Sequence, residues 1–226
     1  MATTVLLTGA YGNIGHSTLG KLLDAGHEVV CFDRESPPTR EIVAKFAGAV
    51  KTVWGDICDG DSLRQALQGV DVVVHLAGII PPLSEQDGML TERVNVEGTR
   101  SLVAAMEAST SARRLIFAST FGVFGRVQDR EPPLRNDDPV SPDDNYGRSK
   151  FAAEEAIRRS ALDWTILRIC AAPPVEIPKG GAHDVCTMFE MSAAARIEFV
   201  HPEDVSVAFC NAVACDGAIG KALFLG

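Results

Sequence analysis

No basic cluster occurs anywhere in this chain. Its 226 residues carry 21 Lys and Arg against 30 Asp and Glu, a formal net charge of −9. A nucleic-acid surface needs clustered cations, so no nucleic-acid partner is expected. A small anionic ligand stays open, because local N–H groups and a few arginines can outweigh the global sign. The chain also lacks any C-x-x-C pair. Its six cysteines, Cys31, Cys58, Cys170, Cys186, Cys210 and Cys215, are scattered. That argues against a metal site or a disulfide framework and suits free thiols in a reducing, cytoplasmic compartment. Long apolar runs are missing too. The most apolar stretch, residues 70–80, contains Asp71 and His75 and is too short to cross a bilayer, so no membrane partner is expected. The N-terminus enters a strand pattern almost at once, without the basic region and apolar core of a signal peptide. Internal repeats and low-complexity tracts are absent. What remains is a hydrophobic fraction of 46%, ample for one domain with a buried core.

Strand-like and helix-like segments alternate over the first 170 residues. Strand patterns cover 5–8, 28–33, 50–54, 71–76, 114–119 and 164–168. Helix patterns cover 17–25, 40–48, 61–68, 90–108 and 146–159. Strands apolar throughout and separated by helices predict a parallel sheet covered on both faces. Right-handed crossovers make it a doubly wound α/β fold, with ligands beyond the carboxyl ends of the strands. Two polar loops, 81–88 and 126–145, are expected on that ligand side.

The densest signal is Thr8-Gly9-Ala10-Tyr11-Gly12-Asn13-Ile14-Gly15, between the first strand and the first helix. Glycines at Gly9, Gly12 and Gly15 let the chain turn and leave no Cβ in a ligand's way. The N–H groups at the helix start, around Asn13 and Ile14, then face a diphosphate. Asp33 ends the second strand, eighteen positions after Gly15. A carboxylate there accepts from both ribose hydroxyls of an adenosine and repels a 2′-phosphate, favouring NAD over NADP. Arg34 pulls the other way, because a guanidinium can turn toward such a phosphate. Asp56, followed by Ile57, is placed either to accept from an adenine amino group or to cap the next turn. Leu76, Ala77 and Gly78 end the fourth strand, where small residues let a cofactor lie against the backbone. His75 reads as a strand residue satisfied by a neighbour rather than a catalyst.

Tyr146 and Lys150 stand four apart on a helix pattern and so share a face. A tyrosine at its ordinary pKa of about 10 is a poor base at neutral pH. A nearby ammonium lowers that value, and a cationic nicotinamide would lower it further, giving an acid/base group for a hydroxyl or carbonyl substrate. Thr120, with Ser119 second, offers a hydroxyl at the end of the fifth strand to orient that substrate. The Asn95 amide is placed to hold a water that relays protons to Lys150.

Together these residues resemble the extended short-chain dehydrogenase/reductase superfamily, in its NAD-dependent epimerase/dehydratase family. The match also takes in Asn95-Val96-x-Gly98-Thr99, Leu167-Arg168 and Phe199-Val200-His201-x-x-Asp204-Val205. The resemblance implies a Rossmann domain over 1–168, then a short substrate-side segment with a final helix and strand over 169–226. It implies Tyr146 as acid/base, Lys150 as its activator and nicotinamide-ribose partner, and Thr120 as the orienting hydroxyl. It implies NAD as cofactor and a homodimer formed through the helices carrying Asn95 and Tyr146. His201 and Asp204 are similar to scaffold positions of the family.

The chain departs from the family pattern in two regions. The stretch between Arg168 and Phe199 is short, and the chain stops at Gly226, where the family continues into a small C-terminal domain. A reduced substrate-binding portion is therefore expected. Phe124 stands where the family often has tyrosine. The expected activity is NAD-dependent oxidation or epimerisation at a hydroxyl-bearing carbon of a sugar, sugar nucleotide or sugar acid. Dehydration is disfavoured, since Phe121 and Gly122 follow Thr120 where a further carboxylate would serve. The alternatives are an NADP-dependent reductase of a small carbonyl compound and a non-catalytic NAD(H)-binding sensor or scaffold.

Overall fold

The computed structural model describes residues 2–46, 48–128, 130–173 and 196–226. Cys186 and residues 178–181 lie outside the described residues. Seven strands form one parallel sheet: β1 (Thr4–Thr8), β2 (Glu28–Asp33), β3 (Lys51–Trp54), β4 (Val72–His75), β5 (Arg114–Thr120), β6 (Asp163–Ile169) and β7 (Lys221–Leu225). Their spatial order is β3-β2-β1-β4-β5-β6-β7. The direction of winding reverses between β1 and β4, which are paired with Leu7 beside Val74 and Thr8 beside His75. A crevice for ligands opens at such a reversal.

The sequence dictates two faces because successive strand side chains point to opposite sides. Leu6, Phe32, Val53, Val73, Leu115 and Phe117 face one way. They pack on α3 (Gly60–Ala66), on the later helix α6 (Gly98–Glu107) through Leu102 and Met106, and on α7 (Asn145–Arg158) through Ala153 and Ile157. Val5, Leu7, Val29, Cys31, Val74 and Ile116 face the other way, onto Leu19 and Leu22 of α1 (Asn13–Asp24) and Val205 and Phe209 of α8 (Pro202–Val213). Strands with both faces covered must be apolar throughout, and the doubly wound α/β fold expected from the alternation is the fold observed.

Local chemistry sets the helix starts. Ser36 and Thr39 form a reciprocal capping box ahead of α2 (Pro37–Ala44), with Pro37 at the first helical position. Asp59 caps α3, accepting from Asp61 and Ser62 N–H groups. Between β4 and β5 the single helix expected over 90–108 is three pieces. A short helix, α4 (Leu83–Gln86), comes first; the three pieces are α5 (Gly88–Thr91), a π-helical turn over Glu92–Glu97, and α6. The π turn buries two consecutive residues, Asn95 and Val96. Such turns often mark functional positions.

Candidate functional site

The glycine loop is shaped by contacts that tolerate no side chain. Gly9 has φ +67°, and a Cβ there would stand 2.7 Å from the Ala77 nitrogen. A Cβ on Gly15 would run into the Gly9 carbonyl and Ala10. α1 therefore starts hard against the end of β1. Its N-cap is Gly12, which has no side chain to offer, so no side chain occupies the helix start. Free N–H groups at a helix N-terminus favour an anion.

Asp33 closes the next side of the crevice. One carboxylate oxygen accepts from the Tyr11 N–H at 2.9 Å, the other from the Arg34 N–H at 2.8 Å. Burial pushes this carboxyl up, and the two N–H groups and the Arg34 charge oppose that. A cavity of about 240 Å³ runs from Tyr11, Asp33 and Arg34 past Asp56 and Ile57 to Leu76, Ala77 and Gly78. Asp56 caps its own turn, accepting from Cys58 N–H at 2.9 Å, with Arg93 3.8 Å from its other oxygen.

His75 is fully buried between Thr8 and Thr99, at 2.7 Å and 3.0 Å from their hydroxyls. Burial, then the Lys150 charge, lowers its pKa to about 3, so the ring stays neutral. It braces the reversal point and stands outside the crevice, as its sequence context suggested. Thr8 completes the brace by accepting from Ala77 N–H at 3.2 Å.

Tyr146 and Lys150 lie in the first turns of α7 and do share a face. The Lys150 ammonium sits 5.8 Å from the centre of the Tyr146 ring and 4.8 Å from that of Phe117. It donates to the Ala118 carbonyl at 2.9 Å. A Cβ added to Gly78 would stand 3.3 Å from that ammonium, so Lys150 lies just behind the Gly78 end of the cavity. Burial lowers the Lys150 pKa to about 8, opposed by Glu154. The phenol departs from expectation. Burial, then the Asp144 carboxylate, pushes Tyr146 up rather than down. With the protein's own groups alone, the Tyr146 phenol stays protonated.

Thr120 accepts from Gly122 N–H at 3.1 Å, which leaves its own O–H to donate. Ser119 is differently placed. It is buried and donates to Glu154 at 2.6 Å, inside a network where Arg168 grips the same carboxylate through two nitrogens at 2.9 and 2.7 Å. Its hydroxyl is therefore engaged away from the crevice. Phe124 lies against that network, with the Arg168 guanidinium 4.8 Å from its ring centre. Asn95 also differs from expectation. Its amide accepts from Ile79 N–H at 2.7 Å and donates to Ile79 C=O and Ser149 Oγ, each at 2.9 Å. Both amide hydrogens are spent, so a relay water would have only Oδ1 to meet.

Glu85 was not singled out by its sequence context, yet its carboxylate accepts from both Asn145 and Tyr146 N–H at 3.0 Å. Only the length and polarity of its loop hinted at a role. A second cavity, about 480 Å³, opens beside Phe121 and is walled by Val127, Pro132, Pro133, Leu134, Ile197 and Phe224. Among the described residues no group of three or more metal-ligating side chains gathers, and no helix is long and apolar enough to cross a membrane.

The model of the NAD dependent epimerase/dehydratase family matches residues 5–173. This chain belongs to that family. Among curated relatives it is 31% identical over 196 residues to UDP-glucose 4-epimerase 2 of Arabidopsis thaliana, covering 81% of this chain and 54% of the relative. It is 33% identical over 163 residues to a 3-beta-hydroxysteroid dehydrogenase of Mycolicibacterium neoaurum, covering 68% of this chain and 42% of the relative. The chain thus spans about half the length of the curated relatives it matches. In fold it is similar to the solved structure of DesIV, a dTDP-glucose 4,6-dehydratase from Streptomyces venezuelae with NAD and TYD bound. That match has a TM-score of 0.85 at 24% identity and covers 99% of this chain and 76% of the other. The family resemblance read from the residues is the family found.

Proposed function

We propose that this chain is an NAD-dependent oxidoreductase or epimerase acting at a hydroxyl-bearing carbon. One observation carries the reading: a phenol and an ammonium stand together behind Gly78, at one end of a crevice whose other end is a glycine-walled helix start. The residues fit a dinucleotide. Gly9, Gly12 and Gly15, with the N–H groups of Asn13 and Ile14, would take the diphosphate. Asp33 would take the adenosine ribose, Asp56 and Ile57 the adenine, and Leu76, Ala77 and Gly78 the chain of the cofactor toward Lys150. Arg34 is exposed at the rim and leaves NADP as the lesser alternative.

Bound NAD supplies acceptance and return of a hydride. Tyr146 takes the hydroxyl proton or gives it back. Lys150 keeps a positive charge beside the phenol and donates to the ribose. Thr120 donates its free O–H to the substrate oxygen and turns it toward Tyr146. A retained ketone reduced on its other face gives an epimer; a released one gives a dehydrogenase. Relatives named for UDP-glucose favour a sugar nucleotide as substrate. The cavity beside Phe121, whose walls mix apolar residues with Arg130, Glu131, Arg196 and Glu198, leaves room for a second reading, a secondary alcohol on an apolar skeleton, which the steroid dehydrogenase relative favours.

We further infer a homodimer through the helices carrying Asn95 and Tyr146. Ile80, Leu83 and Met89, exposed at 57%, 44% and 86%, lie on the segment between β4 and the π turn that carries Asn95. Cys31, Cys58, Cys170, Cys210 and Cys215 are free thiols, in keeping with a cytoplasmic setting.

The test is calorimetric titration of NAD and NADP, followed by turnover assays over nucleotide sugars, sugar acids and sterols. Tyr146→Phe should bind NAD as the wild type does and lose turnover by about 10²-fold or more. Wild-type protein that binds NAD yet turns over no alcohol in the panel supports the sensor instead.

A further inference from the structure

We propose, resting on the reading of Tyr146 as acid/base, that Glu85 is its positioning residue, closing a ring of hydrogen bonds between the loop after β4 and the first turn of α7. The start of α7 is satisfied twice over. Asp144, its N-cap, accepts from Gly147 N–H at 2.6 Å, as a local cap does. Glu85 comes from 60 and 61 positions away and takes the two N–H groups that remain, those of Asn145 and Tyr146. One local carboxylate would cap this helix. The second ties a distant loop to the tyrosine's own backbone.

The ring then closes through groups already placed. Ser149 Oγ donates to the Tyr146 carbonyl at 2.8 Å and accepts from the Asn95 amide. Asn95 grips Ile79 by both its N–H and its C=O. From Ile79 the chain runs six residues back to Glu85. Ser84 in that run is fully buried, with its carbonyl taken by the Thr91 hydroxyl at 3.2 Å and its own hydroxyl donating to Glu85 at 3.0 Å. Tyr146 is therefore held at both its N–H and its C=O by groups that answer to the strip beside Gly78. Where the phenol stands relative to Lys150 depends on whether Glu85 holds. Burial works against the Glu85 charge and is outweighed by the two backbone N–H groups together with the Ser84 hydroxyl and the Arg148 charge, so the grip is that of an anion.

The experiment uses protein labelled with ¹³Cζ-tyrosine. The chain has only two tyrosines, so Tyr11 and Tyr146 give two signals, assigned by Tyr146→Phe. Glu85→Ala removes both acceptors, and Glu85→Asp keeps the charge but loses the reach. With NAD bound, the Tyr146 titration midpoint should rise in both variants by about half a pH unit or more, while Tyr11 stays put. A charge felt only through space would instead lower it in the Ala variant and leave the Asp variant unchanged. A plain stabilising cap would leave both unchanged. Either of those results overturns the proposal. In ligand-free protein, deuterium uptake at the Asn145 and Tyr146 amides should rise about tenfold in both variants. Wild-type uptake there would also overturn it, whether or not NAD binds; failure of NAD to bind wild-type protein counts against the function proposed above and leaves the amide test standing.

Discussion

Lys150 Nζ lies 5.8 Å from the centre of the Tyr146 ring while donating to the Ala118 carbonyl at 2.9 Å. An ammonium that bonds the backbone beneath it is fixed in place, and its charge is aimed rather than roaming. Tyr146 nevertheless stays high in pKa, because burial and then the Asp144 carboxylate disfavour the phenolate. The site thus needs a second positive charge beside the ring. An oxidised nicotinamide carries one, which couples acid/base competence to the oxidised cofactor.

Lys150 is costly to the fold. Its pKa falls from 10.5 to about 8 on burial, equivalent to roughly 3 kcal/mol. Between those values the unfolded chain holds the proton and the folded chain does not, so stability rises with pH from about 8 to 10.5 and bears the full cost below. Lys150→Met should raise stability at pH 7 by about 1–2 kcal/mol, after allowance for the unpaired Ala118 carbonyl. The gain should vanish by pH 10.5. Urea melts at both pH values read this directly, and a variant less stable than wild type at pH 7 would contradict it.

Asp33 should decide which dinucleotide binds. Asp33→Asn keeps an oxygen for the Tyr11 N–H but removes the charge facing a 2′-phosphate. The ratio of NADP to NAD affinity should rise about tenfold. Asp33→Ala should shift the ratio likewise and weaken both ligands, since the glycine loop loses its brace at Tyr11. Paired titrations that show no change in preference would refute the assignment.

Two glycines of α1 should answer oppositely to the same change. Gly20 has nothing within 4 Å of an added Cβ, so Gly20→Ala should stabilise by about 0.5–1 kcal/mol through the unfolded chain. At Gly15 the added Cβ meets the Gly9 carbonyl, and Gly15→Ala should destabilise and weaken NAD binding together. Thermal melts with and without NAD separate the two effects.

The sheet and the glycine turn at the start of α1 were legible in the sequence because both rest on local rules. Gly9, Gly12 and Gly15 mark a turn that only glycine can make, and Asp33 follows at the end of the next strand. His75 was legible as a brace because its strand is apolar on both faces. The π turn was not legible: residues 90–108 carry one continuous helical pattern, and the extra residue that turns Asn95 inward is chosen by Ile79 and Ser149, both distant in sequence. The link from Glu85 to Tyr146 was hidden for the same reason. The direction of the Tyr146 shift was missed because spacing reveals the neighbouring ammonium but not the depth of burial around the phenol.

The most direct test of the account follows the Tyr146 phenol itself, through the ¹³Cζ signal of labelled protein titrated with and without cofactor. Oxidised NAD should lower its midpoint by about 2 pH units relative to ligand-free protein, NADH should do so far less, and Lys150→Met should raise the midpoint with NAD bound. A Tyr146 signal that titrates at the same pH with NAD bound, with NADH bound and with neither would contradict the central claim.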